Sequence, residues 1–395
     1  MGKGVFLNVS AAGHVIPTLG LVAELLRRDE EIVYFEVPRF QAELESVGAA
    51  FRPYPPIQPY PGPGGENQYF LAPILTWCAR EWVPRLVEAV RAEQPDYIVH
   101  DSLCLWGRIV AQVLGVPAVT SVATAAFCAE SFHGCPRLRA VRRDKIAEAR
   151  KGLRLFCDWR RELRARYGVG PIALIDTFTN HQPLNVCYLP RELQPYAAKF
   201  GDEFLFVGPC NPLRARRVEF PFERLDKRPL VFVSFGTVHS PGRAFFEACL
   251  AAVRGEDLQV VLVLSPGMDV AALGDVPENV IVRPAGNVPQ LELLERAALF
   301  VTHGAGGGLR EGVWYGVPLL AVPQTYEQEI LSIQMAVQGA GIVLWPTEVS
   351  RASLQTAIRT VLSSPTYREN SARLGAACRA AGGAKRAADA ILGIA

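Results

Sequence analysis

The feature that most constrains this chain is an alternation of short apolar strands and amphipathic helices that runs its course and then starts again. Val5 to Val9 is a short buried-type run, Ser10 to His14 a turn of small residues, and Thr18 to Arg28 a helix with Leu19, Val22, Leu25 and Leu26 on one stripe. Glu31 to Glu36, Tyr97 to Asp101 and Pro117 to Thr124 read as further strands, with a helix around Trp106 to Leu114. After Phe206-Val-Gly-Pro-Cys210 and an arginine-rich follower the pattern restarts. Leu230 to Phe235, Val260 to Leu264, Val280 to Val282, Leu299 to Thr302 and Pro318 to Val322 are its strands, and Leu291 to Ala297 and Gly308 to Tyr315 its helices. Alternation of this kind implies a parallel, doubly wound α/β sheet. At 395 residues the chain exceeds one ordinary core, and the restart predicts two domains, 1–212 and 217–377. Ligands of open α/β sheets bind beyond the carboxyl ends of the strands, so two such sheets facing each other would form a cleft that holds the site.

Two stretches depart from the alternation. Residues 53–65 are so rich in proline and glycine that they exclude regular structure and predict a surface loop bordering the cleft. Residues 137–166 carry twelve Lys or Arg against four Asp or Glu, with Leu138, Ile146, Leu153 and Leu163 at roughly helical spacing. That is a solvated helical face, or a surface attracted to anionic membranes. The formal charge of the chain is only +2, which gives no general reason to expect nucleic acid as a partner. Nine scattered cysteines without a C-x-x-C pair predict free thiols in a reducing cytoplasm. The short apolar run at the N-terminus is too brief for an export signal or a transmembrane segment, so a cytoplasmic location is expected.

Chemistry concentrates between Val288 and Gln328: Val-Pro-Gln290, a helix, a strand, His303-Gly-Ala-Gly-Gly-Gly308, Glu311, and Pro323-Gln-Thr-Tyr326-Glu327-Gln328. Gly304, Gly306, Gly307 and Gly308, between a strand and a helix, let the backbone approach a diphosphate, whose charge then faces the helix N-terminus. His303 can donate to a phosphate oxygen, and Glu311 can accept from both ribose hydroxyls. Tyr326, Glu327 and Gln328 follow a strand end and suit sugar hydroxyls.

These residues give the chain a resemblance to the bacterial macrolide and natural-product glycosyltransferases of the UDP-glycosyltransferase family. Ser10-Ala-Ala-Gly-His14-Val-Ile-Pro-Thr18 resembles that family's first loop, Ser234-Phe-Gly-Thr237 its second-domain entry loop, and Pro323 to Gln328 its donor-sugar loop. Ala381 to Ala388 resembles its C-terminal helix, about 378–395, which packs back on the first domain. The resemblance implies the GT-B fold, two doubly wound Rossmann-like domains facing across a cleft. It implies an inverting transfer of a sugar from UDP or TDP to a hydroxyl of a small apolar acceptor such as a macrolide, polyketide or polyphenol.

By the same resemblance His14 matches the catalytic base and Asp101 its partner. The chemistry favours such a pair independently, since an alcohol is a poor nucleophile until a neutral imidazole removes its proton, and a carboxylate behind the ring fixes its tautomer. The resemblance further assigns Gly236 and Thr237 to the diphosphate, Val288 and Gln290 to the base, and Gly13, Thr18 and Thr124 to the donor from the first domain. Trp77, Trp82, Phe127 and Phe132 are the expected acceptor contacts. Asp-x-Asp is absent from the sequence, so neither metal nor cofactor is expected, the UDP- or TDP-sugar being a co-substrate. Many members of the family carry Asn and Ser where this chain has Gly307 and Gly308; weak donor binding, by a loop that orders around the diphosphate, is the expected consequence.

Three rival readings exist. A nicotinamide or flavin dehydrogenase requires G-x-G-x-x-G after its first strand, where this chain has Ser10-Ala-Ala-Gly-His. A non-catalytic nucleotide-sugar-binding relative predicts loss of His14 or Asp101. A nucleotide-sugar epimerase of the same fold needs neither the Ser234 loop nor the acceptor-side loops in this form.

Overall fold

The computed structural model describes residues 2–64, 68–134, 143–210, 218–236, 240–286 and 288–394. The chain divides into two compact units. The first comprises Met1–Leu189, Tyr196–Asn211 and Ala381–Ala395, and the second Pro190–Pro195 and Pro212–Ala380.

In the first unit the strands, in chain order, are β1 (Lys3–Leu7), β2 (Glu31–Glu36), β3 (Ala50–Pro53), β4 (Tyr97–Asp101), β5 (Ala118–Val122), β6 (Leu184–Cys187) and β7 (Phe204–Phe206). They lie side by side as β3-β2-β1-β4-β5-β6-β7, every pair parallel. The second unit orders β8 (Leu230–Val233), β9 (Gln259–Val263), β10 (Val280–Arg283), β11 (Ala297–Thr302), β12 (Leu319–Ala321) and β13 (Gly341–Val343) as β10-β9-β8-β11-β12-β13, again all parallel. The strand interiors are nearly continuous buried Val, Ile, Leu and Phe, because helices cover both faces of each sheet. Strand order reverses between β1 and β4 in one sheet and between β8 and β11 in the other, so each has a crevice at the carboxyl ends of that pair.

The local differences from the sequence reading have identifiable causes. β1 stops at Leu7, not Val9, because the Asn8 side-chain oxygen accepts from the amide of Val9 and turns the chain out of the sheet. His14 sits in a short helix, Ala12–Val15, not in an open turn. The helix after β11 begins at Gly306, so all three glycines are its first turn instead of a loop before it. Helix Gln68–Glu93 went unread, since Pro73 and Pro84 interrupt its pattern.

In helix Ile146–Tyr167 the inward face is Ala149, Gly152, Phe156, Trp159 and Leu163, while Ile146 and Leu153 are exposed. Leu138 lies outside the described residues. The C-terminal helix Gly383–Leu392 belongs to the first unit. Its Ala387, Ala388 and Ile391 join that core, Arg386 donates to the Phe206 carbonyl at 3.1 Å, and Asp389 pairs with Arg28 at 2.5 Å.

Candidate active site

In the first unit the crevice is filled by one connected polar cluster. His14 Nδ1 lies 2.8 Å from Asp101 Oδ2, while Asp101 Oδ1 accepts from the Leu103 amide at 2.7 Å. Since a carboxylate only accepts, Nδ1 is the donor in this contact, and in a neutral ring with its proton there the lone pair is on Nε2. The Asp101 side chain has no accessible surface, whereas 11% of the His14 side chain remains accessible, so the ring is the member that a substrate can touch. Neighbouring His100 differs: burial pushes it down to about 4, and its Nε2 lies 3.0 Å from the Gln182 amide nitrogen.

The backbone of His14 is held as well. Asn8 Nδ2 donates to the His14 carbonyl at 3.0 Å and to the Tyr34 hydroxyl at 2.7 Å. The Tyr54 hydroxyl accepts from the Asn8 amide, donates to the Asn8 carbonyl, and accepts from Trp106 Nε1 at 3.1 Å. Glu36, at the end of β2, accepts from Ser10 Oγ and from the Val37 amide. Asn8, Tyr34, Glu36 and Tyr54 escaped the sequence reading; the available signal was polar groups at the ends of otherwise apolar strands.

Thr18 is the first-domain residue expected near the donor phosphates. It is fully buried; its hydroxyl donates to the Val15 carbonyl at 2.7 Å and lies 3.0 Å from the Tyr34 hydroxyl. Gly13 lies in the His14 helix, and Thr124 and Phe127 are buried in the segment after β5. Trp82 stacks on Tyr54, with ring centroids 4.6 Å apart, and donates to the Pro55 carbonyl; Trp77 packs on Trp159 and donates to the Gln58 carbonyl. These two indoles therefore lace the proline-rich segment to helix Gln68–Glu93 through their N–H groups. Phe132 falls in helix Ala129–Gly134, but its side chain lies outside the described residues.

In the second unit backbone takes a larger part in the crevice. Gly236, at φ +69, follows β8, and a Cβ there would lie 3.5 Å from His303 Cε1, so the loops after β8 and β11 run side by side. Thr237 lies outside the described residues. Gly304, at φ +76, turns the chain from β11 toward helix Gly306–Trp314, and a Cβ on it would come within 2.0 Å of Ser332 Oγ. The residue before that helix is Ala305, which offers no side-chain cap, so the first-turn amides of Gly306, Gly307 and Gly308 have no side-chain acceptor. A diphosphate is the kind of partner such an end accommodates. Helix Tyr326–Val337, by contrast, is closed by a capping box of Thr325 and Gln328.

Gln290 Nε2 donates to Glu311 Oε2 at 2.5 Å, and Gln290 Oε1 lies 3.5 Å from Ser234 Oγ. The structure thus joins the two residues expected at base and ribose, with Val288 two positions upstream of Gln290. Burial pushes the Glu311 carboxyl up, and the amide of Gln290 opposes that by donating to it. His303 is buried, with Nδ1 3.3 Å from Thr302 Oγ1. Tyr326 and Glu327 are half-buried at the start of their helix; buried Gln328 spends its oxygen on the Gln324 and Thr325 amides. No described helix is long and apolar enough to cross a membrane.

Known proteins resemble this chain along its whole length. Residues 247–386 match the family model described as erythromycin biosynthesis protein CIII-like, C-terminal domain. An uncharacterized UDP-glucosyltransferase, YojK, of Bacillus subtilis is 31% identical over 99% of this chain and 97% of its own length. Oleandomycin glycosyltransferase of Streptomyces antibioticus is 30% identical, covering 97% and 89%. The crystal structure of the glycosyltransferase of kitacinnamycin superposes with a TM-score of 0.84 at 27% identity, over 99% of this chain and 98% of that one.

Proposed function

The chain belongs to the bacterial natural-product UDP-glycosyltransferases, enzymes of the GT-B fold, and from that premise we propose an inverting transfer with His14 as base and Asp101 as its partner. The donor is a UDP- or TDP-sugar and the acceptor a hydroxyl on a small, largely apolar molecule of the macrolide, polyketide or polyphenol kind. The observation that carries this reading is the 2.8 Å contact between His14 Nδ1 and Asp101 Oδ2 at the point where strand order reverses.

In the reaction the acceptor oxygen bonds to the anomeric carbon while the bond from that carbon to the diphosphate breaks, its electron pair leaving with the diphosphate. The acceptor's proton passes to His14 Nε2. Asp101 stabilises the imidazolium that forms and keeps the ring in the tautomer that can accept. His303 and the amides of Gly306, Gly307 and Gly308 take up the charge of the departing diphosphate, the part that a metal plays in other sites. Gln290 and Glu311 hold base and ribose as one hydrogen-bonded pair. Tyr326, Glu327 and Gln328 stand beside the sugar.

The test is to incubate the protein with a panel of UDP- and TDP-sugars and to follow nucleotide release with and without macrolide and polyphenol acceptors. Acceptor-dependent release is expected. Proton NMR of the glycoside then decides the stereochemistry: a β-product from an α-linked donor supports single displacement by a base-activated hydroxyl, and a retained α-linkage rules it out.

A further inference from the structure

Glu36 has no exposed surface, yet it stands at the end of β2 beside the loop that carries His14. Its two oxygens have different surroundings. Oε1 accepts from the Ser10 hydroxyl and from the Val37 amide at 2.8 Å, whereas Oε2 is buried without a hydrogen-bond partner. Ser10 is also gripped from its other side, where its carbonyl accepts from Arg39 Nη2. The chain goes directly from Ser10 into the helix that presents His14.

We propose that Glu36 is a positioning residue for the transfer reaction, clamping the loop that carries His14 through its hold on Ser10. This rests on the assignment of His14 as the base. The orphan oxygen indicates the form in which Glu36 works. A buried anionic oxygen without a partner is costlier than a buried neutral one, so the proton resides on Oε2 and Oε1 stays free to accept. Burial accordingly pushes Glu36 up to about 7, against the hydrogen bonds from Ser10 and Val37 and the charge of Arg39.

Several groups face Glu36. Asp101 from the end of β4 repels its ionised form; Cys104 beyond β4, Tyr54 beyond β3 and Tyr34 on β2 are held neutral by burial; Arg39 is the cation. Ionisation of Glu36 therefore sets a second anion next to the one that His14 already has. A second anion favours the imidazolium, so a larger fraction of His14 is protonated and unable to accept. Neutral Glu36 keeps the loop clamped and adds no second anion to Asp101.

The experiment is the pH profile of kcat/KM for the wild type, Glu36→Gln, Glu36→Ala and His14→Ala with one donor and acceptor. Glu36→Gln keeps an acceptor for Ser10 and Val37 but cannot ionise. Its limb on the acid side is expected to lie about half a pH unit lower than the wild type's and to follow a single ionisation. Glu36→Ala, which releases Ser10, is expected to lose about tenfold in kcat with little change in the KM for the donor. An unmoved profile in Glu36→Gln, with His14→Ala inactive, overturns the role of Glu36 alone, and this holds even if Glu36→Ala does not fold. Full activity in His14→Ala overturns the base itself and the clamp with it.

Discussion

At the reversal of strand order in the first unit, the crevice is filled by side chains that already have partners: His14 with Asp101, Asn8 with the His14 carbonyl, Ser10 with Glu36. At the same point of the second unit backbone stands beside His303 and the Gln290–Glu311 pair, with Gly236 and Gly304 at positive φ and a helix whose N-cap is Ala305. The same topology thus serves two demands. On the proposed reading a base must be oriented before the substrate arrives, and His14 comes with Asp101 already in place. On the same reading a diphosphate brings its own charge to amides that no side chain caps.

The largest effect expected is on the first crevice. His14→Ala is predicted to lower transfer by about a thousandfold, within the range of lost general-base catalysis, while nucleotide affinity measured by calorimetry stays within a few fold. Loss of nucleotide binding in that variant would erase the division of labour between the crevices. Asp101→Asn should be milder, since an amide still orients the ring but does not stabilise its charge.

Next in size is a dependence of stability on pH. The folded value of Glu36, about 7, lies above the ordinary 4.5, so its contribution is fully present below 4.5 and is lost as pH rises through 7. The loss amounts to about 3 kcal/mol by pH 8. Denaturant unfolding of wild type and Glu36→Gln at pH 5 and pH 8 checks it: the gap should open in favour of the glutamine variant at the higher pH.

In the second crevice Gly304→Ala should cost about 2 kcal/mol, from the positive φ and the overlap with Ser332. The double variant with Ser332→Ala should recover the steric part and leave the backbone part, as thermal unfolding will register. The smallest effect concerns donor affinity. A Cβ at Gly307 meets nothing within 4 Å, whereas one at Gly308 lies 3.3 Å from Thr302 Oγ1. Gly307→Ser should therefore tighten UDP or TDP binding by about 1 kcal/mol, one added hydrogen bond, and Gly308→Ser by less. Equal gains at both positions would mean that the helix start shifts to admit either side chain.

Much of the architecture was legible because it is written locally. Tyr97 to Asp101 is an unbroken buried strand whose ends the sequence marks without help, and Leu299 to Thr302 needed extension only by two residues. His14 and Asp101 were legible as candidates for the same reason: each stands at or just beyond a strand's carboxyl end. Trp77 and Trp82 were harder, since an aromatic that lines a pocket and one that pins a neighbouring segment have the same local pattern. Their N–H groups go to the carbonyls of Gln58 and Pro55, a choice visible only once the proline-rich segment is seen against the helix.

By itself the sequence determined the two runs of strand and helix, the glycines at the start of a helix, and the residue types able to take a proton. Periodicity and turn chemistry act within a few residues, and those features need nothing longer. The tertiary structure decided which strands are neighbours, and with that the meeting of His14 and Asp101 across 87 positions of sequence. It also decided the burial of Glu36 against Ser10 and the burial of Thr18. Partnership and protonation depend on distance and on exclusion of water, and strand order, which no local pattern encodes, sets both.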